Sequence, residues 1–183
     1  MIYPITVYGH PVLRKETTTI EKDYPNLGQL LDDMFKTMYH AEGVGLAAPQ
    51  IGLPVRIFVM DLSALEEKDT MYKGFKKTFI NPVITERSEE TASLEEGCLS
   101  LPGVNESVSR PVKIKINYLN DKLEACEEEF SDYIARVIQH EYDHLEGKLF
   151  IDHISPIRRQ LNKGKLNGML KGKVNCRYNV RTA

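Results

Sequence analysis

The residues best suited to metal chemistry are His140-Glu141-Tyr142-Asp143-His144, an H-E-x-x-H pattern. On a helix, at about 100° per residue, positions 140 and 144 lie about 40° apart and share one face. Two imidazoles so placed can grip one ion. Glu141, one residue further round, stands beside that ion, where a carboxylate can take a proton from metal-bound water. A catalytic site uses three protein ligands and keeps a position open, so two histidines leave it one short. Val137 and Tyr133, one and two turns earlier, are not ligand types. Cys98, in Glu96-Gly97-Cys98-Leu99-Ser100-Leu101-Pro102-Gly103, is the best outside candidate. A thiolate suits a borderline or soft metal, and the flanking glycines allow close backbone approach. His10, His40 and His153 could in principle close a structural site, but none has ligand-like spacing.

Blander readings exist for each residue. H-E-x-x-H has three fixed positions and occurs in proteins that bind no metal, and a lone cysteine is more often a small buried hydrophobe. Asp143 and Glu146 read as a solvated helix face, and Cys126 and Cys176 have no ligand-like setting. Gly43-Val44-Gly45-Leu46-Ala47-Ala48 matches G-x-G-x-x-A. A dinucleotide fingerprint follows a strand and opens a helix, whereas this segment follows a helix and runs into Pro49, so no nucleotide cofactor is expected.

The elements that must position these groups follow from periodicity. Residues 5–16 read as an ordered arm, with a turn at Gly9-His10-Pro11. Leu27, Leu30, Leu31, Met34 and Met38 fall at helical spacing after Asn26, with Gly43 as the stop. Residues 55–60 and 78–84 read as strands flanking a polar loop at 61–77. Val112, Ile114, Ile116 and Tyr118 alternate with polar residues as a half-buried strand does, and a turn at Asn120-Asp121 leads to a strand near 122–130. Ser131 caps a helix that runs to Glu146, with Gly147 beyond it. Ser155-Pro156 opens another, which Gly164, Gly168 and Gly172 weaken. The order predicts an α+β fold, mostly antiparallel β-sheets packed around a central helix carrying H-E-x-x-H.

The chain has 183 residues, 42% hydrophobic and 27% charged, the balance of a globular protein. It is long enough for one domain with its own core. No apolar stretch nears a membrane span, and no secretory signal is visible at the N-terminus. Three cysteines, at 98, 126 and 176, form no disulfide pattern, so a cytoplasmic location is expected. The net charge of −2 conceals a division: residues 153–183 carry eight Lys/Arg and no acid, leaving 16 basic against 26 acidic residues before them. This divides the chain into a catalytic domain, 1–155, and a basic C-terminal extension, 156–183, of helix or tail.

Three segments in order, Gly43-Val44-Gly45-Leu46-Ala47-Ala48-Pro49-Gln50, Glu96-Gly97-Cys98-Leu99-Ser100 and Gln139-His140-Glu141-Tyr142-Asp143-His144, resemble the signature motifs of peptide deformylases. The arm Tyr8-Gly9-His10-Pro11-Val12-Leu13-Arg14 is similar to that family's N-terminal segment, and Pro-Gly after the second motif resembles the type I branch. The resemblance implies a metal-dependent amidohydrolase that removes the formyl group from N-terminal formyl-methionine of nascent chains. Cys98, His140 and His144 match its metal ligands and Glu141 its general base and acid. Gln50, by its side-chain amide, and Leu99, by its backbone N–H, match the oxyanion donors, and Gly45 a backbone contact to the substrate. Val44, Leu94, Tyr133 and Val137 are candidates for the methionine side-chain pocket, and Arg110 for a peptide contact. The resemblance implies one divalent ion, typically Fe2+, with Ni2+ or Co2+ substituting and Zn2+ supporting less activity. It also implies N-formyl-methionyl peptides as partners, and ribosome contact through the basic C-terminal segment. A protease cleaving internal bonds and a metal-bearing RNA-binding protein are the competing classes.

Overall fold

The structure is a computed structural model describing residues 1–183. Its elements are β1 (Ile5–Thr6), α1 (Leu27–His40), β2 (Gly45–Ala47), β3 (Ile57–Asp61), β4 (Lys76–Arg87), β5 (Thr91–Gly97), β6 (Asn105–Pro111), β7 (Lys113–Leu119), β8 (Ala125–Ser131), α2 (Asp132–Leu145), α3 (Pro156–Leu161), α4 (Lys163–Leu170) and β9 (Val180–Arg181). Strands β2-β3-β4-β7-β8 form one antiparallel sheet in that order. β5 and β6 form a separate hairpin, and β1 pairs parallel with β9.

The pleat of β3 shows how two helices share this sheet. Successive side chains point to opposite faces. Phe58 and Met60 enter one core with Phe79, Ile116 and the α2 residues Ile134, Val137 and Ile138. Ile57 and Val59 enter a second core with Leu30, Leu31, Met34 and Met38 of α1. The helix bearing H-E-x-x-H is therefore central, packed on the sheet and on β6, as the sequence predicts. No helix is long and apolar enough to cross a membrane.

The alternation in β7 holds: Ile114, Ile116 and Tyr118 are buried, and Lys113, Lys115 and Asn117 are not. Other local expectations shift. α1 ends at His40, and Glu42, not Gly43, takes the left-handed conformation after it (φ 57°). Ser131 stands at the start of α2, but its hydroxyl makes no capping bond and instead donates to Asp132. The β5–β6 hairpin lacks an apolar alternation because most of it is exposed; its inward positions include the charged residues Glu96 and Arg110 as well as Val108.

The C-terminal segment is half integrated into the body. Leu166 and Met169 are buried in a third core with Leu101, Val108 and Phe150. The chain then returns along its own N-terminus, where Ile5 N–H donates to the Asn179 carbonyl at 2.8 Å.

Three carboxylates outside the cavity make stability acid-sensitive. Burial opposes the charge of Asp61, Glu128 and Asp152. Hydrogen bonds from Ser63 and Tyr39, from Tyr118 and Lys77, and from Arg14 and the Leu149 N–H outweigh it, holding all three below the ordinary carboxylate range. A folded pKa below the unfolded one means stability present above about pH 4.5 and lost progressively below it. The expected result is a Tm insensitive to these groups from pH 6 to 8 and falling below about pH 4.5, read by calorimetry.

Candidate active site

Four chain segments meet at one cavity of about 460 Å³. Helix α2 supplies Tyr133, Arg136, Val137, His140 and Glu141. The segment Glu42–Gly45 and Gln50 form one side, and Glu95–Leu99 another. Cys98, just beyond the end of β5, lies with His140 and His144 so that their ligand atoms all fall within 4.8 Å of one another. Cys98 Sγ is 3.3 Å from His144 Nε2. Two ligands of one tetrahedral ion with bonds of about 2.0–2.3 Å stand roughly that far apart. Burial lowers the His144 pKa to about 3, whereas bonds to Cys98 and Glu96 outweigh burial at His140 and raise its pKa. The donor set and its spacing fit a single ion.

Glu141 is buried beside this cluster, and its Oε2 has no hydrogen-bond partner. A buried carboxylate oxygen without a donor is costly, so its retention points to a task. Burial pushes its pKa up to about 7, with His140 pulling the other way. Gly45 explains itself here: a Cβ at that position would collide with the Glu141 carboxylate. Gln50 is fixed at both ends of its amide, with Oε1 accepting from Ala47 N–H at 2.9 Å and Nε2 donating to Ser100 Oγ at 3.2 Å. That leaves Nε2 3.6 Å from Cys98 Sγ, on the cavity side. The Leu99 N–H has no partner within the protein.

Behind the cluster lies a charge network that periodicity did not reveal. Glu96 Oε2 accepts from His140 Nδ1 at 2.9 Å, which turns Nε2 toward Cys98. Glu96 also accepts from Arg110 Nε at 2.6 Å and from Arg136 at 2.8 Å. Burial works against its charge, but His140 and Arg110 overcome this and hold it well below the carboxylate range. The only signal in the sequence is the i, i+2 spacing of Glu96 and Cys98, which puts both on one side of an extended segment.

Several expectations change. Arg110 is only 4% exposed, and its guanidinium is committed to Glu96 and Asp143; it does not line the cavity. Leu94 is 45% exposed on the hairpin and also lies outside the lining, whereas Val44, Tyr133 and Val137 line it. Asp143 is not a solvated face residue: Arg110 and His153 both donate to it, and Glu146 pairs with Arg56. Cys176 has a setting after all. The returning C-terminal segment brings Asn175, Cys176 and Tyr178 into the lining, and Tyr178 Oη donates to the Leu99 carbonyl at 2.7 Å.

Comparison with known proteins settles the family. The family model described as polypeptide deformylase matches residues 2–160. The chain belongs to the polypeptide deformylase family. It is 49% identical over 192 residues to the peptide deformylase of Flavobacterium johnsoniae, covering 100% of this chain and 97% of the relative. It is 48% identical over 188 residues to that of Christiangramia forsetii, covering 99% and 96%. The crystal structure of peptide deformylase from Thermotoga maritima superposes with a TM-score of 0.77 at 46% identity, covering 85% of this chain and 99% of that one. This deformylase is therefore an enzyme, and its Cys98-His140-His144 cluster is its candidate metal centre.

Val137 lies one turn before His140 and borders the cavity. Val137→Phe is expected to raise KM for formyl-Met-Ala-Ser by about tenfold, since the added ring would fill part of the cavity that Val137 lines. Steady-state kinetics on the folded variant check it; an unchanged KM removes Val137 from the pocket.

Proposed function

We propose that this chain hydrolyses the formyl amide of N-terminal formyl-methionine on nascent polypeptides, releasing formate, in the cytoplasm. The observation that carries this reading is the unpartnered, buried Glu141 carboxylate beside the Cys98-His140-His144 cluster, at a cavity that Gln50 and Leu99 also line. A divalent ion held by Cys98, His140 and His144 supplies Lewis-acid polarisation and a lowered water pKa. A His2Cys donor set suits iron, zinc, cobalt and nickel, and the family points to Fe2+ as the native ion.

The chain's own residues do the rest. Val44, Tyr133 and Val137 take the methionine side chain, and the Gly45 backbone borders the formyl group. Glu141 removes a proton from the attacking water as its oxygen adds to the formyl carbon. The Gln50 amide and the Leu99 N–H donate to the carbonyl oxygen as it gains charge, each worth about 2.7–4 kcal/mol in comparable sites. Glu141 then gives the proton to the departing nitrogen as the C–N bond breaks, leaving formate and a free N-terminus. Protein purified without oxygen, reloaded with Fe2+ or Ni2+ and given formyl-Met-Ala-Ser should release formate and intact Met-Ala-Ser. Internal fragments would replace this reading with a protease, and no product would overturn it.

The exposed cations of α3 and α4 support docking on ribosomal RNA. Ile157 and Leu161 are 76% and 73% exposed beside Arg158 and Arg159. Deletion is a poor test, because it also removes the buried Leu166 and Met169. Replacing Arg158, Arg159, Lys163 and Lys165 by glutamine is expected to weaken ribosome co-sedimentation and flatten its salt dependence, each lost phosphate contact lowering the slope by about 0.9. Turnover of the tripeptide should not change. Unaltered co-sedimentation would refute the contact.

A further inference from the structure

The segment between β3 and β4 has no part in the reading above, yet it is built rather than loose. Its base is closed by Leu62 N–H donating to the Phe75 carbonyl at 2.8 Å. Two short turns, Ser63–Leu65 and Thr70–Tyr72, shape it, and the Asp69 carboxylate accepts from Met71 N–H at 2.9 Å to start the second. Glu66, Glu67, Lys68 and Lys73 face solvent. Leu65, Tyr72 and Phe75 turn inward onto the core that contains Val137. The Tyr72 ring meets Tyr133 edge-on, with centroids 6.3 Å apart and planes at 77°. Phe75 meets Phe130 in the same way at 6.1 Å, which pins the loop to β8. Tyr133 in turn lines the cavity, while Tyr72 does not.

The geometry points to the 62–75 loop as the outer support of the methionine side-chain pocket, with Tyr72 the positioning residue that sets its width through Tyr133. This rests on the proposed deformylase reading. An apolar pocket discriminates by how closely its walls fit, a single methylene being worth about 10-fold or more. Tyr133 is only half-buried, and a ring held on one side by another ring keeps its rotamer. Without Tyr72 it is free to swing outward and admit bulkier side chains. The loop thereby favours an unbranched apolar first residue over an aromatic one.

The test compares wild type, Tyr72→Phe and Tyr72→Ala, each loaded with Ni2+, on formyl-Met-Ala-Ser and formyl-Phe-Ala-Ser. Calorimetric binding of the product peptides Met-Ala-Ser and Phe-Ala-Ser is measured in parallel. Tyr72→Phe keeps the ring and should behave as wild type. Tyr72→Ala should raise KM for the formyl-Met peptide about fivefold with kcat nearly unchanged, and narrow the Met-over-Phe ratio in kcat/KM and in product affinity by about tenfold. An unchanged ratio overturns the inference, even with a lower Tm, because the loop would then only brace the fold. If wild type released no formate, the deformylase reading would fail on its own, while the product-binding ratio would still decide the role of Tyr72.

Discussion

Glu141→Ala is expected to lower formate release by about 10²–10⁴ while metal content and fold stay as in wild type. General acid–base catalysis contributes in that range. The residue reaches none of the ligand positions, and its Oε2 bonds to nothing in the protein, so little structure depends on it. Burial brings its pKa to about 7, matched to a group that accepts and returns a proton near neutral pH. Glu141→Gln, similar in shape and unable to carry the proton, should lose as much. The measurement is turnover of formyl-Met-Ala-Ser by protein whose metal content has been determined. Wild-type rates from loaded Glu141→Ala would remove Glu141 from catalysis.

Glu96→Ala is expected to damage the protein more broadly. It removes the carboxylate partner of the buried Arg110 and Arg136 guanidinium groups, leaving Arg136 only the Val108 and Ala92 carbonyls, and it frees the His140 ring. Breaking a buried ion pair by removing one partner costs about 3–5 kcal/mol. Losing the carboxylate that orients a ligating histidine costs about 10–100-fold in metal affinity. Asp143 still accepts from Arg110, which limits the loss at that arginine. A large fall in Tm together with weaker metal retention against a chelator is the expected pair of results. A Tm within a degree of wild type would show that the network contributes no stability.

Much of the site was legible because its signals are local. H-E-x-x-H puts two candidate ligands and a carboxylate on one helix by spacing alone, and the apolar periods of α1 and β7 name their buried faces. Where the sequence misled, the partners were distant or the buried residues polar. The β5–β6 hairpin buries Glu96 and Arg110, so hydropathy reads it as surface, and Asp143 looks solvated until Arg110 arrives from β6. Cys176 and Tyr178 stand about 80 residues from Leu99, and no pattern along the chain reports that β9 zips onto β1 and carries them to the cavity.

The sequence by itself named the candidate ligand types, the helix carrying H-E-x-x-H and the family, because each is carried by short motifs legible one at a time along the chain. Only the tertiary structure decided which charges are buried, what holds His140 in place, and which residues wall the cavity. The cost of burying a charge is met by whatever partner the fold brings, and that partner has no fixed distance along the chain.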